Sequence, residues 1–216
     1  MARPDFRRHL AQVQDDLLLM GSMVDKAIAR ALVALRERDM DVARRTVRED
    51  DLIDTKRFEI EEKCAEIIAT QAPVASDLRQ LLAMFAITGE LERIGDYAEG
   101  IAKIAIMMGE EPPLKPLVDI PAMAEHGRGM LRDSLDALVR RDLTLARAVK
   151  QADDEVDRLY DQVYRDLLVY MINDPKTIER ATHLLWVAHN LERIADRATN
   201  VAERAIFMVT GDIHAR

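Results

Sequence analysis

The chain has 216 residues, enough for one large or two small domains, and its 49% hydrophobic residues can fill a sizeable core. Charged residues make up 32% and aromatic residues only 4%, a composition typical of long packed helices rather than sheets. The net charge of -8 argues against binding to a nucleic-acid backbone, and Cys64, as the single cysteine, excludes an intramolecular disulfide and a zinc site built from cysteines.

Three amphipathic helices are predicted in the first half of the chain. Their apolar residues recur at steps of three and four, which places them on one buried face of a helix. Pro73 ends the second helix, Gly109 follows the third, and Cys64 falls on the buried face of the second. The predicted helices cover approximately residues 4–37, 40–70 and 74–108.

A proline-rich segment separates this half from the next. Prolines occupy positions 112, 113, 116 and 121, and proline lacks the amide hydrogen that a continuing helix needs. The segment therefore predicts a domain boundary. The predicted parts are a first three-helix unit at 1–109, a linker at 110–120 and a second three-helix unit at 121–216.

The helical pattern begins again after the linker. The predicted helices cover approximately residues 121–140, 142–172 and the region from about 176 to 210. A break at Asn173-Asp174-Pro175 precedes the last helix, and Gly211 is placed to cap its end. We therefore expect an all-α protein made of two tandem, pseudo-symmetric, antiparallel three-helix bundles.

An internal repeat links the two predicted bundles. The segment Leu91–Asp96, LERIGD, recurs 100 residues later as Leu191–Asp196, LERIAD. Shared apolar positions show only that the two helices pack alike. The identical charged residues require another reason.

The repeated charges form pairs of carboxylates one helical turn apart, and similar pairs occur on the second helix of each bundle. In each bundle, two acidic pairs are thus expected to lie close together. Glu99 and Glu203 are expected to extend the two stripes. The pairs are Glu92 with Asp96, Glu192 with Asp196, Asp50 with Asp54, and Asp153 with Asp157.

Clustered carboxylates repel one another, and this repulsion grows where solvent is excluded. A hard cation with oxygen ligands, such as magnesium, calcium, manganese or iron, would neutralise them, whereas zinc is less natural without histidines alongside. The competing interpretation is a solvated acidic face, partly paired with Lys103 beside Glu99 or with Arg57 beside Asp54. Arg93 and Arg193 fall away from the acidic stripe on a helical wheel, so we expect them in surface salt bridges.

These residues are similar to the PhoU family over almost the whole chain. The duplicated acidic motif E(D)-x-x-x-D is the family's hallmark, and here it spans the four pairs given above. The flanking segments Gln71-Ala-Pro73, Asp77-Leu-Arg79, Asn200–Glu203 and Met208–Gly211 also resemble family sequence.

The resemblance implies a non-enzymatic regulator that restrains the phosphate-starvation response and links the phosphate-specific ABC transporter, through its ATPase subunit, to a sensor histidine kinase. It also implies metal binding by the four acidic pairs, with iron, zinc, manganese or magnesium as candidates. The family often has a histidine after the third-helix aspartate, where this chain has Tyr97 and Arg197. Because Gly100 occupies the position equivalent to Asn200, the resemblance predicts a poorer first-repeat site.

Three other functions compete with that of a regulator: a di-iron enzyme, a metal-handling protein and a metal-free scaffold. Di-iron enzymes on helical bundles need a Glu-x-x-His pair from each of two helices, which the sequence lacks, and His183 and His189 are expected to be core or surface residues. A metal-handling protein and a metal-free helical scaffold stay open as alternative functions.

No apolar run approaches the roughly 18 residues of a membrane-spanning helix, so we expect a cytoplasmic protein that reaches a membrane only through partners. Two similar faces suit two partners or a homodimer.

Overall fold

Six α-helices make up residues 4–212, the part of the chain that the computed structural model describes, and this part contains no strand. The predicted all-α class and the two three-helix bundles are confirmed. The helices are α1 (Pro4–Glu37), α2 (Met40–Gln71), α3 (Ser76–Met108), α4 (Asp119–Arg140), α5 (Leu143–Asn173) and α6 (Ile178–Thr210), and a short 3₁₀ helix at Pro175–Thr177 precedes α6.

Two helix starts differ from the predicted ones. The third helix begins at Ser76 rather than near 74, because Ala75 has a positive φ of 49° and cannot continue a helix backward. The fourth begins at Asp119 rather than at Pro121. Pro121 lies in the first turn, where the backbone nitrogen needs no hydrogen-bond partner, so proline is tolerated inside the helix. Gly211 caps α6 with a φ of 78°, as predicted.

The outer helix of each bundle starts with the same cap. Asp39 accepts hydrogen bonds from the amides of Asp41 and Val42, at 3.0 and 2.9 Å. Asp142 accepts them from Thr144 and Leu145, at 2.9 and 3.0 Å. These caps satisfy amide groups that would otherwise lack a partner at the helix start.

We expect the Asp142→Ala change to lower the free energy of unfolding by about 1 kcal/mol, because it removes both capping bonds. Urea unfolding followed by circular dichroism measures this. Asp142→Asn is the matched control, since asparagine caps as well as aspartate. Equal losses in the two variants would show that the cap contributes nothing.

Each bundle packs its three helices around a buried apolar centre, and the bundles also pack on each other through α3 with α6 and α1 with α4. The outer helices α2 and α5 do not touch each other. Cys64 is fully buried in α2, as predicted. The interface between α3 and α6 is as extensive as those within the bundles, so residues 4–212 form one continuous core.

The contact between α1 and α4 joins equivalent positions of the two repeats. Asp25 and Arg128 lie 103 residues apart and occupy matching places in their bundles. The Arg128 guanidinium donates to both Asp25 carboxylate oxygens, at 2.7 and 3.0 Å. Nearby, a Cβ on Gly21 would lie 2.4 Å from Leu135 Cδ1, so the glycine is what allows the helices to approach.

The contact between α3 and α6 is also pseudo-symmetric, but its side chains differ. On one side Glu90 accepts hydrogen bonds from Arg197 and Asn200, at 3.2 and 3.1 Å. On the other side Asn190 packs against Gly100, where a Cβ would lie 2.9 Å from Asn190 Nδ2. The two antiparallel helices thus cross with an ion pair at one end and a close backbone approach at the other.

The segment between α3 and α4 lies along the bundles. Arg38 donates to the carbonyl oxygen of Glu110 at 3.1 Å, Arg180 donates to that of Pro112, and Lys115 donates to Asp166 at 2.6 Å. These contacts come from both repeats, so the segment is fixed at each end. No helix within 4–212 has the length and apolar character to cross a membrane.

Candidate metal centre

The predicted acidic pairs meet in two grooves, one between α2 and α3 and the other between α5 and α6. The helices of each groove run antiparallel, so a residue early in α2 faces one late in α3. Helix geometry then brings the pair from one helix beside the pair from the other. The structure therefore gathers all eight predicted residues into two clusters, four in each groove.

Asp50 lies within the first cluster, near Asp54 on its own helix and near Asp96 and Glu99 on α3. Burial raises the pKa of Asp50 to about 7, and the three neighbouring carboxylates contribute to the shift. Burial also raises the pKa of Asp96, and nearby negative charge adds to it. The cluster therefore contains negative charge that its surroundings compensate only in part.

Gly95 explains why α2 lies so close to α3 at this point. A Cβ on Gly95 would lie 3.2 Å from both Asp50 Oδ1 and Ile53 Cδ1. The missing side chain lets the Asp50 carboxylate rest on the α3 backbone. The second repeat has Ala195 at this position, so the two grooves are not identical.

Two basic residues pair with the edges of the first cluster. Arg57 of α2 donates to Glu92 Oε1 at 2.8 Å and to Glu61 Oε1 at 2.8 Å. Lys103 lies 2.6 Å from Glu99 Oε2, as the alternative interpretation of a partly paired face predicted. That interpretation was wrong about Arg57, which pairs with Glu92 instead of Asp54.

The second cluster contains Asp153, Asp157, Glu192 and Asp196. Burial raises the pKa of Asp153 to about 6, and Asp157 and Asp196 add to the shift. Burial followed by neighbouring carboxylates also raises the pKa of Asp157 and of Glu192. Both grooves thus concentrate negative charge in partly dehydrated surroundings.

Arg193 corrects one prediction. It forms salt bridges, as expected, but with the acidic stripe itself rather than away from it. Its Nη1 donates to Asp196 Oδ2 at 2.9 Å, and its Nε lies 3.0 Å from Glu192 Oε2. A helical wheel records where the Cα atom lies, whereas the long arginine side chain reaches carboxylates one residue before it and three after it.

Glu203 corrects a second prediction. Glu99 borders the first cluster, but the residue equivalent to it in the second repeat is Thr199, whose hydroxyl is buried and has no hydrogen-bond partner among residues 4–212. Glu203 lies one turn further along α6 and pairs with Lys150 at 2.6 Å. Glu203 therefore does not extend the second stripe into the cluster.

Gly100 and Asn200 lie in the interface between the repeats rather than in the acidic clusters. Gly100 approaches Asn190, and Asn200 donates to Glu90. The Gly100 difference therefore gives no reason for a weaker first site. Sequence reasoning also missed Glu90 and its pairing with Arg197, because neither residue belongs to a repeated motif.

The clusters offer oxygen donors, which match the ligand preference of hard divalent cations. Burial and, after it, neighbouring carboxylates raise the pKa of Asp50 and of Asp153, and a cation would offset the negative charge at both residues. Within 4–212, however, no three side chains of His, Cys, Asp or Glu are already placed to hold a metal ion. The donors fit by chemistry, and the carboxylates would have to turn toward a common point.

An open groove of about 550 Å³ adjoins the first cluster. Arg57, Glu92, Arg93, Asp96 and Tyr97 contribute to its lining, and Gly89 leaves its floor without a side chain. Glu92 and Asp96 are therefore reachable from outside the bundle.

The sequence of this chain matches a known protein family. The family described as "PhoU domain" matches residues 17–105 and 120–205. A "phosphate-specific transport system accessory protein PhoU homolog" from Aquifex aeolicus is 42% identical over 95% of this chain and 93% of its own length. A homolog with the same name from Caulobacter vibrioides is 40% identical over 96% of this chain and 90% of its own length.

Solved structures agree with the sequence matches. The crystal structure of PhoU from Pseudomonas aeruginosa covers 96% of this chain and all of its own, with a TM-score of 0.91 and 37% identity. The crystal structure of the phosphate transport system regulatory protein PhoU from Streptococcus pneumoniae covers 98% of this chain and all of its own, with a TM-score of 0.90 and 27% identity. The family match spans both repeats and the structural match spans both bundles, and the chain therefore belongs to the PhoU family.

Proposed function

We propose that this chain is a regulatory adaptor of phosphate uptake, without catalytic chemistry of its own, that restrains the phosphate-starvation response. In this role it contacts the ATPase subunit of a phosphate-specific ABC transporter and a sensor histidine kinase. The observation that supports it is the match over both bundles to relatives named as accessory or regulatory proteins of phosphate transport.

The two-bundle architecture suits an adaptor. The repeats present two acidic grooves that differ in their basic residues and in their bordering side chains. Two related but unequal surfaces allow one chain to recognise two partners, or a partner and a second copy of itself. Negative surface charge also favours encounter with basic partner surfaces.

Metal binding at the two clusters is the second part of the proposal. Asp50 and Asp54 of α2, with Glu92 and Asp96 of α3, would hold a cation in the first groove. Asp153 and Asp157 of α5, with Glu192 and Asp196 of α6, would hold one in the second. When bound, the cation supplies the positive charge that these carboxylates lack, and the residues would then fix the outer helix of each bundle against its neighbour.

The regulatory role is tested by alkaline phosphatase activity in phosphate-replete cells of the source organism that lack this gene. We expect high activity in the deletion strain and low activity after complementation with the wild-type gene. The variant with Glu92, Asp96, Glu192 and Asp196 all changed to alanine should fail to restore repression, because it removes the acidic motif of both α3 and α6.

A matched control changes four exposed acidic residues outside the clusters, Asp41, Glu62, Asp133 and Asp136, to alanine, and should repress like wild type. Immunoblots and circular dichroism establish that both variants accumulate and fold. Low activity in the deletion strain would contradict the regulatory role. Full repression by the quadruple alanine variant would show that the regulatory role does not need the acidic motifs.

A further inference from the structure

The two acidic clusters differ in how far the chain already neutralises them. In the second cluster a single guanidinium, that of Arg193, lies 3.0 Å from Glu192 and 2.9 Å from Asp196. It thus occupies both carboxylates of the repeated motif on α6. Among residues 4–212, only Asp153 and Asp157 of this cluster have no ion pair with a basic side chain.

The first cluster keeps more of its charge unpaired. Arg93 occupies the position equivalent to Arg193 but makes no ion pair in the described part of the chain. Arg57 from α2 binds Glu92 from the other side of the groove at 2.8 Å. Three aspartates, Asp50, Asp54 and Asp96, form no ion pair within 4–212, and Lys103 and Arg93 act on Asp50 and Asp96 only from a greater distance.

One sequence difference between the repeats coincides with this difference in ion pairing. The residue of α5 equivalent to Arg57 is Tyr160, which carries no positive charge to offer Glu192. Glu192 Oε2 is buried and accepts no well-directed hydrogen bond. Arg193 pairs with Glu192 on its own helix, whereas the equivalent Glu92 of the first cluster is already paired with Arg57.

We propose that the two clusters bind divalent cations with unequal affinity, the first more tightly, and that Arg193 is an internal counter-ion that must leave Glu192 and Asp196 before the second cluster binds one. The inference rests on the proposed metal function. More anionic oxygen donors free of ion pairs give tighter binding of a hard cation, and three aspartates are free in the first cluster against two in the second. This order is the reverse of the one expected from Gly100.

The test is titration of the metal-free full chain with Mn²⁺, followed by isothermal calorimetry and by the electron spin resonance signal of free Mn²⁺. We expect two classes of site in the wild type. Arg193→Gln should tighten the weaker class about fivefold, because two ion pairs no longer compete with the metal. Arg140→Gln, which breaks an exposed ion pair with Asp136 outside both clusters, is the matched control and should leave both classes unchanged.

Asparagine variants assign the classes to the clusters. Asp54→Asn with Asp96→Asn should abolish the tighter class, and Asp153→Asn with Asp157→Asn the weaker one. Equal affinities in the wild type, or an Arg193→Gln variant that binds Mn²⁺ like wild type, would overturn the inference while leaving metal binding intact. Absence of saturable Mn²⁺ binding in every variant would overturn the metal proposal and this inference together.

Discussion

Replacing Asp50 by asparagine is expected to raise the free energy of unfolding of the metal-free protein at pH 8 by on the order of 2 kcal/mol. Burial and neighbouring carboxylates raise the pKa of Asp50 from its ordinary 3.8 to about 7 in the folded state. At pH 8 the group is ionised whether the chain is folded or unfolded. The folded state alone bears the cost of the buried charge, and asparagine removes it.

The sign follows from proton linkage. Between about pH 4 and pH 7 the folded chain holds a proton on Asp50 that the unfolded chain has lost. Acidification through this range therefore stabilises the wild type, and this contribution is lost as the pH rises. The advantage of Asp50→Asn should be largest at pH 8 and nearly absent at pH 4.

Urea unfolding in the presence of a chelator, at pH 8 and at pH 4.5, measures the effect. Asp51→Asn, a change at the exposed neighbour of Asp50, is the control and should leave stability nearly unchanged at both values. An Asp50→Asn variant less stable than wild type at pH 8 would mean that the carboxylate is compensated in the folded state. Asp153→Asn should act in the same direction with a smaller effect, since burial raises its pKa only to about 6.

Gly21→Ala is expected to lower the free energy of unfolding by about 1–3 kcal/mol, although alanine is the better helix former. Gly21 is buried where α1 meets α4, and a Cβ there would lie 2.4 Å from Leu135 Cδ1. Because Leu135 is itself 7% exposed and packed in the core, it has little space to move aside. The added methyl group should therefore push the two bundles apart.

Gly129→Ala provides the opposite case within α4. No atom lies within 4 Å of the Cβ position there, so the change should stabilise the protein by up to about 1 kcal/mol through helix propensity. Thermal unfolding of both variants tests the contrast. In a double-mutant cycle, Leu135→Val, which removes both δ methyl groups, should restore part of the stability that Gly21→Ala loses. Simple additivity of the two changes would exclude the contact as the cause.

The helices were predictable because their signals are local. Apolar spacing, Pro73 and Gly211 placed the helix ends within about two residues, since each acts through the backbone of its own segment. The acidic pairs were also found from spacing alone, because residues four apart share one face of a helix. Family resemblance then indicated that the two faces matter.

Contacts between helices were not predictable in the same way. The pairing of Glu90 with Arg197 joins residues more than 100 positions apart and follows no repeated motif. The reach of the Arg193 side chain to Glu192 and Asp196 was not predicted either, because helical periodicity places the Cα atom and not the end of a long side chain. Gly100 was assigned to the wrong surface for the same reason, because its role is set by the approach of Asn190.

The ion pair between Asp25 and Arg128 favours packing of the first half of the chain against the second half. It disfavours packing of either half against a copy of itself. Because the two residues occupy equivalent positions of the two repeats, two copies of the first half packed in the same way would place Asp25 against Asp25. Two copies of the second half would oppose Arg128 to Arg128. Like charges repel in both homotypic arrangements, and only the heterotypic one forms the bidentate ion pair. The two halves are therefore complementary at this contact, and each is a better partner for the other half than for a copy of itself.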